Sequence, residues 1–314
     1  MKINIYDEKL NLISSIDNRF VSCLWSEGYN TIGDLVLELQ STEEMRNKLR
    51  PDYFIGRSDR KTVMAIGTVL INDNKVIVYG KTAGVLLRDT ALNGVINSSE
   101  GLDISIKKAY NNSDNKNELL GFSDTNLGVI YNGQISYKTF DEVCRMASQR
   151  TGLGFKVERN NGKLLASFYL KDNTPKTVFA EQYNNLSLNQ IVMSNAISKN
   201  YAIVIGKGGT QAVVDWTNGN KRKDIIINAG NIEGQANLEE IGVKALLDNI
   251  ALQGCSLYVP NEELGVKYDL GDTIWVLFPN SNIKFKTQIT KFAQKEQNNA
   301  LITTIDVGQI TAKR

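Results

Sequence analysis

The sequence predicts a mainly β protein carrying an α+β insertion: two β-barrel-like domains plus a small helix-and-hairpin domain. Three observations support this. Strand-like runs such as Leu35–Leu39, Met64–Val69 and Val76–Tyr79 recur along the chain between glycine and asparagine turns. Helix-start signals are confined to a few short stretches. The 314 residues, at about 100–200 per domain, suggest two or three domains. With four prolines and no proline-rich stretch, those domains abut rather than hang on linkers.

Residues 1–85 read as the N-terminal part of the first β domain, with strands at Leu35–Leu39, Met64–Val69 and Val76–Tyr79. A short helix interrupts them: Ser41-Thr42-Glu43-Glu44 is a capping box led by Ser41, and Pro51 stops the helix. Residues 86–190 read as the inserted α+β domain. Asn111–Glu118 is polar and predicts a structureless exposed loop. A second capping box, Thr139-Phe140-Asp141-Glu142, opens a helix whose Phe140, Val143, Cys144 and Ala147 share a face, with Gly152 at the left-handed C-cap. Strands Leu153–Arg159 and Lys163–Leu170 follow, turned by Asn160-Asn161-Gly162. Residues 191–236 read as a return to the first β domain, through Tyr201–Ile205, Ala212–Trp216 and Asp224–Ile227. Residues 237–314 read as a helix and a second small barrel. Asn237 caps the helix, Glu239 and Glu240 occupy its first turn and Gly254 ends it. Strands follow at Cys255–Val259, Thr273–Phe278, Phe285–Phe292 and Ala300–Val307.

The chain contains no histidine, which removes Ser-His-Asp and Cys-His machinery, histidine-ligated zinc and any general base naturally poised near neutrality. Cys23, Cys144 and Cys255 are far apart, so they read as small buried hydrophobes rather than a disulfide framework or metal cage. Net charge is +2, which carries no polyanion-binding signature. The N-terminus lacks a signal-peptide core, and no apolar run approaches the length of a membrane span.

The remaining motifs have structural readings. Gly206-Lys207-Gly208-Gly209-Thr210 has neither the spacing nor the following helix of a phosphate loop and reads as a hairpin turn. Lys221-Arg222-Lys223 reads as a solvated turn. The surroundings of Asp114 lack the glycine and terminal glutamate of a calcium loop. Nothing singles out a catalytic pair among the 34 acids. In Tyr268-Asp269-Leu270-Gly271-Asp272, Gly271 makes the turn and Asp272 caps nearby amides. The residues give no catalytic, cofactor or metal site.

Four segments, in order along most of the chain, carry a resemblance. The first is Ile5-Tyr6-Asp7, Leu12-Ile13 and Ile16-Asp17, followed by Leu24-Trp25, Tyr29 and Gly33-Asp34-Leu35-Val36-Leu37. The second is Ile135–Phe140 leading to Gly152-Leu153-Gly154-Phe155. The third is Val204-Ile205-Gly206-Lys207-Gly208, and the last is Tyr268–Asp272. Together they resemble siphovirus tail-hub proteins of the ReqiPepy type. An arginine-rich stretch expected of that family is reduced here to Gly80-Lys81 and Leu86-Leu87-Arg88-Asp89.

The resemblance implies a non-enzymatic virion protein of a phage tail tip or baseplate hub, made in the host cytoplasm. It implies a homotrimeric ring with quasi-sixfold symmetry beneath a distal tail ring. The lumen would hold the tape-measure terminus and pass DNA, and tip or receptor-binding proteins would lie beyond. Trp25, Tyr29 and Trp216 are candidate interface anchors, with core packing as the alternative for each. Two other classes stay open: a carbohydrate-binding module using exposed aromatics, and a cell-wall hydrolase using paired carboxylates.

Overall fold

The computed structural model describes residues 1–17, 20–97, 100–131, 134–194, 198–249, 252–278, 283–298, 300–308 and 311–312. It comprises two compact units. Met1–Leu188, Ser256–Val307 and Thr311–Arg314 make up the first, and Asn189–Cys255 with Gly308–Ile310 the second.

In the first unit, β1 (Lys2–Tyr6), β2 (Leu12–Asp17), β3 (Phe20–Gly28) and β4 (Asp34–Gln40) precede helix α1 (Glu43–Lys48). Then come β5 (Phe54–Arg57), β6 (Val63–Ile71) and β7 (Lys75–Thr82). They lie antiparallel in the order β3-β4-β7-β6-β5-β1-β2. Alternation places Leu35, Leu37 and Leu39 of β4 and Val76 and Val78 of β7 inward. The cap of α1 departs from expectation. Thr42, not Ser41, accepts the Met45 N–H, at 3.2 Å. The Ser41 N–H is engaged with the Asn74 carbonyl at 3.0 Å, which holds Ser41 in the loop and delays the helix by one residue.

The inserted segment holds β8 (Val95–Asn97), α2 (Leu102–Asn111), β9 (Leu120–Phe122), β10 (Gln134–Ser136), α3 (Phe140–Thr151), β11 (Gly154–Asn160) and β12 (Lys163–Tyr169). The Thr139 capping box forms, Gly152 caps α3 at φ +74°, and Asn161 and Gly162 turn the β11–β12 hairpin with positive φ. Helix α2 is not foreseen, because Gly101 at its N-cap offers no side-chain acceptor. It buries Leu102, Ile106 and Tyr110, and Tyr110 meets Phe140 edge-on at 5.0 Å between ring centroids. The 111–118 loop is not structureless. Asn115 donates to the Asp89 carbonyl at 2.9 Å, and its own carbonyl accepts from the Thr90 hydroxyl at 2.9 Å.

After β13 (Thr177–Ala180) and β14 (Ser187–Ser194), the second unit builds a separate sheet from β15 (Tyr201–Ile205), β16 (Gln211–Asp215) and β17 (Asp224–Asn228). Helix α4 (Gln235–Asp248) packs on it, burying Leu238 and Leu246 with Ala202, Val204, Ala212 and Val214. The 191–236 segment therefore supplies strands of this unit's own sheet. Gly234, not Asn237, is the N-cap of α4, and Glu239 and Glu240 lie beyond the first turn. The Asn237 amide instead donates back to the Glu233 carbonyl at 2.8 Å. Gly254 lies within β18 (Leu252–Val259) rather than at the end of α4.

The C-terminal strands are β19 (Thr273–Phe278), β20 (Ile283–Gln297), β21 (Ala300–Val307) and β22 (Thr311–Ala312). Strand β20 joins two regions. Residues 283–288 pair with β19, and residues 291–297 pair with β3 on one edge and β21 on the other. The buried side chains are Phe285, Thr287 and Ile289, then Phe292, Gln294 and Glu296. The phase switches at Thr290, where the register slips between Ile289 and Lys291. The hydrogen-bonded ladders of the described residues consequently join fourteen strands in one branched sheet, and no separate ring closes for either expected barrel. Pro279 falls outside the described residues.

Thr42→Ala should cost about 1 kcal/mol of stability and Ser41→Ala under about 0.5 kcal/mol, read from urea unfolding midpoints. Cys23, Cys144 and Cys255 are buried and outside any disulfide, and burial pushes the Cys23 thiol up to about 12. Native protein at pH 8 should leave all three unlabelled by a thiol reagent within minutes, whereas the urea-unfolded chain should react fully.

Candidate functional site

The β20 bulge draws together the chain after β3 and the turn before β19. The Thr290 carbonyl accepts from the Tyr29 N–H at 2.7 Å, and the Ile289 carbonyl accepts from the Gly271 N–H at 2.9 Å. Ile289 N–H in turn donates to the Asp272 carbonyl at 3.0 Å. Gly271 has φ +84°, and a Cβ there would lie 2.4 Å from the Tyr29 ring. The Asp272 carboxylate accepts the Asp269 N–H at 2.8 Å, as a turn cap does, and its partial burial raises its pKa. Tyr268 is buried edge-on against Phe179, 5.0 Å between ring centroids, and its hydroxyl donates to the Pro260 carbonyl at 3.1 Å.

Beside this bend lies a buried charge cluster. Glu27, only 4% exposed, accepts from Trp25 Nε1 at 2.8 Å, from the Thr62 hydroxyl at 2.8 Å and from Arg60 Nε at 3.1 Å. Arg60 also reaches Asp269 at 3.0 Å, and its guanidinium lies 4.7 Å from the centroid of the Phe292 ring. Burial acts to lower the Arg60 pKa, but Glu27 and Asp269 outweigh it and raise the value. The cluster therefore ties β3, the β5–β6 turn and the loop before β19 to one guanidinium.

Asn30, at φ +54°, links this framework to the inserted segment. Its side-chain oxygen accepts the Phe155 N–H at 2.6 Å, and its amide donates to the Leu153 carbonyl at 3.2 Å. Gly152 releases the chain from α3 just before this contact. Gly33 is needed for another close approach, since a Cβ would lie 2.0 Å from the Ser26 carbonyl oxygen. Asp34 is exposed and pairs with Lys81 at 3.0 Å. Trp25 is fully buried and Trp216 packs partly buried on the core of its own unit, so packing accounts for both; Tyr29 is wedged at the bend. Gly206 and Gly208 belong to the second unit. There the Gly206 N–H donates to the Thr210 carbonyl at 2.7 Å and Gly208 takes φ +68°, the geometry of the hairpin turn.

A cleft of about 250 Å³ opens along this joint, lined by Glu27, Tyr29, Arg60, Asp141, Tyr169 and Asp269 among others. Its acids all lie in ion pairs: Glu27 and Asp269 with Arg60, Asp141 with Arg88 at 3.1 Å and Arg145 at 3.7 Å, and Glu158 with Lys156 at 2.9 Å. Burial pushes the Tyr29 and Tyr169 hydroxyls upward, so both stay neutral. Acids neutralised by paired cations suit holding surfaces together better than proton transfer. Among the described residues no group of three His, Cys, Asp or Glu is placed to hold a metal ion.

Sequence reasoning missed Glu27, Arg60, Thr62, Asn30 and Asp269. One signal was available: Glu27 shares the inward phase of β3 with Cys23 and Trp25, and a carboxylate in that phase demands a buried partner. Glu27→Gln should destabilise the protein by about 3 kcal/mol, because Arg60 and Trp25 lose a charged acceptor. Denaturant unfolding followed by tryptophan emission would measure it, and a loss under about 1 kcal/mol would remove the cluster's structural weight.

Comparison with known proteins bears on the whole chain. The family described as siphovirus ReqiPepy6 Gp37-like protein matches residues 2–308. No curated protein matches. Among solved structures, the tail protein from Neisseria meningitidis MC58 superposes with a TM-score of 0.65 at 11% identity, over 98% of this chain and 96% of that one. The 43 kDa tail protein of prophage MuSo2 from Shewanella oneidensis gives 0.61 at 12% identity, over 98% of both chains. Prophage tail protein gp18 from Listeria monocytogenes EGD-e gives 0.57 at 12% identity, covering 99% of this chain and 95% of that one. At these identities the likeness is one of fold.

Proposed function

The chain belongs to the siphovirus ReqiPepy6 Gp37-like protein family, and on that premise we propose that it is a structural, non-enzymatic hub of a phage tail tip or baseplate. The observation that carries this reading is the end-to-end likeness of its fold to three tail proteins, with almost nothing left over on either side. In this reading three copies form a ring that joins the distal tail ring to the tip proteins. In this reading the ring carries quasi-sixfold symmetry. The lumen holds the tape-measure terminus and later passes DNA. The protein resides in the virion, and no helix among the described residues is long and apolar enough to cross a membrane.

The outer face of the large sheet supports self-assembly. Register places Ile302, Lys295, Leu24, Val36 and Tyr79 in one row across β21, β20, β3, β4 and β7. Ile302 is 49% exposed, Leu24 38% and Tyr79 41%, on the face opposite the core. An antiparallel sheet with a solvated outer face ordinarily keeps that face polar.

Light scattering coupled to size exclusion should give three times the 34.9 kDa protomer mass. The double substitution Tyr79→Glu and Ile302→Asp should shift that species to the monomer with the melting temperature of the protomer retained. A wild-type protein that stays monomeric at 100 μM and is absent from assembled tails overturns the reading.

A further inference from the structure

A second cleft, of about 380 Å³, shares Tyr29, Asn30, Thr31 and Arg145 with the first and lies against α3. Its wall carries Arg145, Ser148 and Gln149 from one side of α3, together with Gly152, Lys171 and Gln288. Neither aspartate nor glutamate is among the described residues that line it. Asp141 lies 3.7 Å from Arg145 Nε and is shared with Arg88 at 3.1 Å. One carboxylate between two guanidiniums leaves a cationic surplus, to which Lys171 adds.

The Arg145 side chain is 42% exposed, whereas its Nε and the hydroxyl of Ser148 are buried without a hydrogen-bond partner. Lys171 sits 5.9 Å from the centroid of the Tyr29 ring, and burial lowers its pKa, so an anionic partner would stabilise its charged form. One N–H of the Asn30 amide is committed to the Leu153 carbonyl at 3.2 Å, and one of the Gln288 amide to the Gly271 carbonyl at 2.7 Å. The cationic donors of the cleft are Arg145 and Lys171.

We propose that this cleft binds a carboxylate side chain of an acidic peptide segment contributed by a partner protein. The planar guanidinium of Arg145 matches a carboxylate with two parallel hydrogen bonds, and Lys171 adds a point charge. A phosphate fits less well. Phosphate sites use helix N-termini and backbone N–H groups, whereas this wall includes the carbonyl end of α3, whose dipole opposes any anion and a dianion more than a single carboxylate. That carbonyl end suits a peptide, whose N–H groups it can accept. The proposal does not require the trimeric ring and is tested on the isolated full-length chain.

The probe is a capped tetraglutamate peptide, titrated at 50 mM salt, with capped tetraglutamine, acetate and phosphate alongside. Tetraglutamate should bind with a Kd below about 1 mM and weaken as salt rises. Arg145→Gln and Lys171→Gln should each weaken it about tenfold, the effect of one lost charge-assisted contact. Lys171→Gln carries the test if Arg145→Gln fails to fold. No binding, equal binding of tetraglutamine, or unchanged affinity in a folded variant overturns the proposal. Phosphate or acetate competing at the same concentration as the peptide also overturns it, in favour of a general anion site or a free small carboxylate.

Discussion

Glu27 cannot be buried alone. A carboxylate at that depth costs several kcal/mol unless charge and hydrogen bonds meet it, and Arg60, Trp25 and Thr62 meet it together. Because Arg60 also holds Asp269, the demand of one side chain fixes three segments that are remote in sequence. The bend of β20 lies within this set, since Phe292 packs beneath the Arg60 guanidinium. The arrangement specifies a geometry more than it adds net stability: a hydrophobic replacement could be as stable, but would not dictate where the loop before β19 must lie.

With that joint fixed, β20 serves two neighbourhoods at once. Its first half belongs with β19, its second with β3 and β21, and the single extra residue at Thr290 lets one continuous strand change the face it turns inward. Strands that cross between sheets at a bulge are a known way of making corners. Here the corner also receives Tyr29 and Gly271, so the bend is wedged as well as hydrogen bonded. The inserted segment shares an apolar core with Tyr6, Leu10, Phe54 and Val63 and is also held by Asn30, whose one amide group both donates to and accepts from the backbone near the start of β11.

Local chemistry made much of this legible. The Thr139 box, the Gly152 cap and the Asn161-Gly162 turn involve residues within a few positions of one another, and each appears where its own sequence places it. Strands Tyr201–Ile205, Thr273–Phe278 and Ala300–Val307 were readable from short runs rich in β-branched and aromatic residues. Helix α2 was not, because its N-cap is a glycine, and α4 was misplaced because its start also lacks a side-chain cap. The phase switch in β20 was present in the sequence: Phe285 and Phe292 are seven residues apart, an odd spacing that an unbroken strand cannot turn to one face. The buried cluster needed the fold, since nothing near Glu27 in sequence announces Arg60 or Asp269.

The pairing of β3 with the far half of β20 joins residues 22–28 to residues 291–297. On a ribosome adding about 5–20 residues per second, β3 therefore waits on the order of tens of seconds before its second neighbour exists. Through that interval one edge of an apolar strand stands open to any other nascent chain. Slow, long-range closure of this kind makes the yield of native protein sensitive to translation speed and to chaperone supply, while the finished molecule shows no trace of that dependence.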